Sequence, residues 1–202
     1  MQADEPFGLD QGYQPLPIRP LDSILNYCPN YDALVASRKL EIATQVEQLQ
    51  VQMRAPISRL RAMFNLTVEQ GNAETMGQLY ETVYADQNLG RALPKDYNST
   101  DDTNLQFIYN QYNALLFDGA FAQIISTPLL RTIRTKLESS IKGKLLKFSL
   151  MVGHHSNLLP LAVLLNLTSA ECIEQQWKGQ TVTSLNCVSS PQFAANLAIE
   201  LH

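Results

Sequence analysis

Cysteine, histidine and tryptophan are scarce in this 202-residue chain, at three, three and one residues. Three cysteines exclude a disulfide-stapled mini-scaffold, and the odd number leaves at least one thiol outside any internal bridge. Charge is sparse as well. Asp, Glu, Lys and Arg make up 17% of the residues, against roughly 25% in an average soluble domain, which excludes a coiled coil or a polyelectrolyte tail. There is no basic excess: the formal charge is −4 and the pI about 5.3, which argues against nucleic acid as a partner. No long hydrophobic run exists. The uncharged stretch Phe148–Ala170 is broken by His154, His155, Ser156, Asn157 and Pro160, and its purely apolar core, Leu161–Leu165, is far short of the roughly 20 residues of a membrane span. Met1-Gln-Ala-Asp-Glu-Pro lacks the basic and apolar regions of a signal peptide. Gly-x-Ser-x-Gly, Walker A and dinucleotide-binding glycine patterns, internal repeats and low-complexity tracts are all absent.

Apolar residues are plentiful at 45%, enough to bury the core of one sizeable domain or two small ones. Residues 1–30 are rich in Pro, Gly and Asp, and the prolines of Tyr13-Gln-Pro-Leu-Pro-Ile-Arg-Pro force extended backbone there. From Asn30 or Tyr31, apolar residues at Leu34, Val35, Ile42, Val46, Leu49 and Met53 recur at helical spacing until Pro56 interrupts. Further helices are expected over Ile57–Glu69 and after an Asn72 cap, the latter with Met76, Leu79, Tyr80 and Val83 on one face and Gly90 past its end. Beyond a polar loop at residues 91–104, Asp101 or Asp102 is expected to cap a helix whose apolar face is Leu105, Ile108, Tyr109, Tyr112, Leu115 and Leu116. Thr127-Pro128 reads as the start of another, running to Gly143. Its Arg131, Arg134, Lys136 and Lys142, against a lone Glu138, read as a solvated face or a phosphate-facing patch.

The period then changes. Leu145–Val152, bounded by Gly143 and Gly153, reads as a buried strand. Leu158–Asn166 reads as a short buried helix with Pro160 in its first turn, and a second short helix is expected from Ser169 through Trp177. Asn196–His202 alternates like a terminal strand. A central strand needs neighbours on both sides, so partners for Leu145–Val152 are expected upstream of this chain.

Chemistry concentrates at His154-His155-Ser156-Asn157, between the expected strand and helix. A helix N-terminus offers unpaired N–H groups and a positive dipole end to an anion, and two imidazoles there can hold phosphate or move protons near neutral pH. The alternative is two loop histidines. Adjacent histidines without a third His or a Cys nearby do not make a metal shell, so no metal is expected. Cys172 and Cys187 would close a 15-residue loop worth about 3 kcal/mol, or stay a reduced buried pair. Three Asn-x-Thr/Ser sequons, at Asn65, Asn98 and Asn166, exceed the roughly one expected by chance and suggest glycosylation in a secretory pathway.

At Met151-Val-Gly-His-His-Ser-Asn-Leu-Leu-Pro-Leu-Ala-Val-Leu-Leu-Asn166 the chain resembles the histidine acid phosphatases, whose late active-site motif is a small residue, His-Asp, a Ser/Thr-rich turn and Leu-Leu-Pro-Leu-Leu. Tyr13-Gln-Pro-Leu-Pro-Ile, Tyr27-Cys-Pro-Asn-Tyr-Asp-Ala-Leu34 and Ser190-Pro-Gln-Phe-Ala-Ala-Asn-Leu-Ala-Ile-Glu-Leu-His202 resemble other segments of that family, in the same order. The resemblance implies an α/β fold with a phosphoglycerate-mutase-like core and a partial sheet. Residues 1–34 and 126–202 would belong to that core and 35–125 to a mostly helical insertion. It implies hydrolysis of phosphate monoesters through a phosphohistidine, with no cofactor, in a secreted, lysosomal or vacuolar setting if an upstream segment carries a signal peptide. By position His154 would contact phosphate and His155 would stand at the proton-donor place, where the family has Asp. The nucleophile motif Arg-His-Gly-x-Arg-x-Pro is absent. The chain is therefore expected to be a C-terminal portion that binds a phosphate monoester or free phosphate but is inactive alone; the alternative is a pseudophosphatase serving as a structural or interaction module.

Overall fold

The computed structural model describes residues 30–143, 149–180, 187, 195 and 197–200. Among them it forms eight helices and no strand. They are α1 (Tyr31–Glu41), α2 (Ala43–Gln52), α3 (Arg54–Met63), α4 (Ala73–Asn88), α5 (Ser99–Leu116), α6 (Gly119–Ile141), α7 (His155–Leu164) and α8 (Ala170–Trp177).

The α/β expectation is thereby corrected. Of the expected central strand Leu145–Val152, residues 145–148 lie outside the described residues, and 149–152 have no regular structure. Leu150 and Val152 are 62% and 72% exposed, the opposite of a buried strand. The expected terminal strand has the same outcome over 197–200, where Leu197 and Ile199 face solvent. The physical reason is pairing: a short apolar run becomes a strand only when a neighbour takes its backbone N–H and C=O groups, and no described segment does so. The Tyr13 segment, Cys28 and His202 lie outside the described residues.

α1, α2 and α3 form an almost continuous rod with turns at Ile42 and Met53, both buried. Pro56 explains the second turn, because it has no N–H to give the Gln52 carbonyl. The helix expected over Ile57–Glu69 stops at Met63. Asn65 takes a left-handed φ of 59°, and Leu66 N–H reaches back to Arg61 C=O at 2.9 Å, a closing geometry that ends the helix. α4 follows expectation, with the Asn72 side chain accepting from Thr75 N–H at 2.9 Å and Gly90 at φ 66° beyond its end.

α5 is the hub. Residues Phe107 to Ala114 are buried without a break, the pattern of a helix surrounded by others. α4 packs along it through Tyr80 and Tyr109, 4.7 Å between ring centroids, and α8 through Trp177 stacked on Phe107 at 4.5 Å. The Arg38 guanidinium of α1 donates to the Leu115 and Leu116 carbonyls at 2.7 and 3.2 Å, placing a cation at the α5 C-terminus where it is favoured. The expected Asp101 or Asp102 cap is corrected to Asn98, whose side chain accepts from the Thr100 and Asp101 amides. Asp101 reciprocates by accepting from Asn98 N–H at 3.1 Å, and its carboxylate, held by Arg59 at 2.7 and 3.0 Å, is kept below the usual carboxylate range mainly by that bond.

α6 also starts earlier than expected. Asp118 caps it through Gly119 N–H at 2.7 Å, and Pro128 lies inside the helix rather than at its first position. Burial of Phe121, Ala122 and Ile125 offsets the hydrogen bond that Pro128 cannot make to Ile124. α7 likewise begins at His155, three residues ahead of expectation, with Pro160 in its second turn. α8 starts where expected, with Ser169 accepting from Cys172 N–H at 3.1 Å. One hydrophobic cluster joins Leu159 and Ile173 to the α2–α5 core, so buried side chains run together across the 125/126 position.

Candidate functional site

His154 is the N-cap of α7. Its extended backbone (φ −91°, ψ 168°) turns into the helix, and its N–H donates to Asn157 Oδ1 at 3.0 Å. Gly153 makes room for that bond: a Cβ at 153 would meet Asn157 Oδ1 at 2.7 Å. The first-turn amides of His155 and Ser156 precede any intrahelical acceptor and carry the positive end of the helix dipole.

The two histidines diverge. The His154 side chain is exposed. His155 turns inward, 32% exposed, with Nδ1 3.7 Å from Glu81 Oε1 on α4. Tyr109 Oη of α5 donates to the same carboxylate oxygen at 3.3 Å, and the Tyr109 ring lies 6.0 Å from the imidazole. Burial pushes the His155 pKa down and the neighbouring His154 adds to this, while Glu81 acts against both. The group therefore combines one exposed imidazole with one sheltered imidazole paired to a carboxylate.

No family model, curated protein or solved structure matches the chain.

The structure thus brings His154 and His155 to one helix start. Cys172 and Cys187 lie elsewhere, joined in a disulfide with Cα atoms 5.7 Å apart, and the Cys187 carbonyl accepts from Gln176 at 2.8 Å. Asn65, Asn98 and Asn166 are exposed, yet each ends or begins a helix. Asn65 and Asn166 take φ of 59° and 55° after α3 and α7, and Asn98 caps α5. Asparagine is favoured in both places, which gives the three sequons a folding role independent of any glycan. The hydroxyl of Thr168, third residue of the Asn166 sequon, is buried without a hydrogen-bond partner.

Sequence reasoning missed Glu81 and Tyr109. Glu81 lies beside Tyr80, the latter on the apolar stripe of α4, and reads as an ordinary solvent-facing acid; Tyr109 reads as core. Their convergence on His155 depends on how α4, α5 and α7 cross. Among the described residues no group of three or more His, Cys, Asp or Glu is arranged to hold a metal ion, and no helix is long and apolar enough to cross a membrane.

Proposed function

We propose that the chain is a histidine acid phosphatase-like protein that binds a phosphate monoester or free phosphate at the start of α7, and that it does not turn substrate over by itself. The observation that carries this reading is the exposed His154 imidazole at a helix N-terminus, beside first-turn amides able to donate to an anion. Glu81 bears on the division of labour. A carboxylate near Nδ1 of His155 repels phosphate from that ring but orients it, leaving Nε2 as the atom that can pass a proton to a leaving alkoxide. His154 is then the anion contact and His155 the proton-donor position. Without the Arg-His-Gly nucleophile no covalent phosphoenzyme forms, so para-nitrophenyl phosphate should be hydrolysed no faster than in a blank at pH 4–6.

Titration calorimetry with inorganic phosphate tests the binding. Affinity should be higher at pH 5 than at pH 8, because imidazole charge is lost as pH rises, and it should fall more in His154→Ala than in His155→Ala. Equal losses, or no affinity at either pH, would reject the site. A second reading, a pseudophosphatase acting as a structural or interaction module, is favoured by the packing of His155 against Tyr109 and Glu81, since that contact ties α7 to α4 and α5 whether or not phosphate binds.

A further inference from the structure

The three sequons are motifs that phosphate binding leaves unused, and their local geometry sets them apart from one another. At Asn98 the carboxamide divides its work between two atoms. Oδ1 accepts from the Thr100 and Asp101 amides at 2.9 and 3.2 Å and so caps α5. Nδ2 donates to no acceptor among the described residues, on a side chain that is exposed. At Asn65 the backbone carries the folding role, through its φ of 59° and the bond from Leu66 N–H to Arg61 C=O. Its carboxamide is exposed and takes no part in that turn. Thr67 and Thr100, which complete these two sequons, are exposed as well. The two sites are neighbours: Phe64 and Tyr97, the residues just before them, pack edge to face with ring centroids 5.9 Å apart. Asn166 differs. Thr168, which completes its sequon, is 3% exposed with its hydroxyl buried, so packing of α7 and α8 withdraws that sequon.

We propose that Asn65 and Asn98 carry N-linked glycans, side by side at the end of α3 and the start of α5. Asn-x-Thr is the acceptor sequence for such a glycan, and the product is a bulky polar group that only a surface asparagine can hold. In the transfer Nδ2 loses a proton to a base of the transferase and forms a bond to C1 of the sugar, while the bond from C1 to the pyrophosphate of a lipid-linked oligosaccharide breaks. Nδ2 keeps one hydrogen and Oδ1 keeps its lone pairs, so Asn98 caps α5 and carries the sugar at once. The bridge between Cys172 and Cys187 is an independent sign, because disulfides form and persist in oxidising compartments, the setting in which this transfer takes place. The pair also stands apart from the phosphate site. Asn98 lies about 16 Å along α5 from Tyr109, on whose ring His155 packs.

The full chain, secreted from eukaryotic cells behind a cleavable signal peptide, provides the test. Amidase release of the glycans in heavy-oxygen water turns each occupied asparagine into a heavy aspartate, and peptide mapping by mass spectrometry reads the marks site by site. Asn65 and Asn98 should both be marked. Thr67→Ala should abolish the mark at Asn65 alone and Thr100→Ala the mark at Asn98 alone, whereas Thr67→Ser and Thr100→Ser should keep them, which separates loss of the acceptor sequence from loss of the fold. The secreted chain should match the helical circular dichroism of the same chain made without glycans in bacteria. An unmarked Asn65 or Asn98 in the secreted chain would overturn the proposal and leave that asparagine a folding residue only. So would marks that survive in the alanine variants, or a helical signal that falls when the glycans are present, which would mean that cap and sugar exclude each other.

Discussion

Asn65, Asn98 and Asn166 show how much a single side chain can decide. At the left-handed positions 65 and 166, any Cβ-bearing residue except Asn or Asp costs roughly 1–2 kcal/mol, while Gly has no such penalty. Asn65→Ala and Asn166→Ala should therefore each destabilise by about 1 kcal/mol, and the Gly variants should match or exceed the parent in urea unfolding. Asn98→Ala should cost about 1 kcal/mol through the lost cap. Equal effects of Ala and Gly at 65 would remove the backbone explanation. His155 supplies a second expectation. Its folded-state pKa is lowered, chiefly by burial, so the unfolded chain takes up the proton first as pH falls. Its contribution to stability is therefore complete above about pH 6.5, the ordinary imidazole value, and is lost as pH drops from there through the lower folded-state value. Denaturant midpoints between pH 7.5 and 5 should decline with a slope that is shallower in His155→Gln.

Among the elements, α7 depends on the contact between Gly153 and Asn157. An added methyl at 153 collides with Asn157 Oδ1, which can swing away only by releasing His154 N–H. Gly153→Ala should cost about 1 kcal/mol, the worth of a typical hydrogen bond, or about 2–4 °C in melting temperature for a chain of this length. Because the same bond sets the backbone of His154, phosphate affinity should fall with it; an unchanged affinity would detach the cap from the site. The helix boundaries show how far local signals reach. Asn72 is legible as a cap because its side chain acts on Thr75, three positions ahead. Thr127-Pro128 is a strong local start signal, yet α6 runs through it, since Phe121, Ala122 and Ile125 find a core to enter. Local chemistry proposed the boundary, and packing moved it.

At the scale of the whole molecule, one α-helical core centred on α5 gathers α1–α4, the first half of α6, α7 and α8. The bridge from Cys172 on α8 to Cys187 closes a loop of 15 residues; its reduction should cost about 3 kcal/mol in the chain-entropy picture. Thermal melts with and without reductant measure this, and a shift much smaller than the roughly 6–12 °C expected would show that the loop stays ordered without the bond. The sequence by itself determined the helical stripes of α2, α4 and α5, a break close to Pro56, the proximity of the two cysteines and the placement of both histidines beside a helix start, because each rests on interactions a few residues apart or on short loop closure. Only the tertiary structure decided that Leu150 and Val152 stay exposed instead of forming a strand, that His155 meets Glu81 and Tyr109 while His154 faces water, and that α6 runs on through Pro128. A strand and a contact between side chains are each defined by what stands opposite, and neighbours distant in sequence are chosen by the packing of the whole chain.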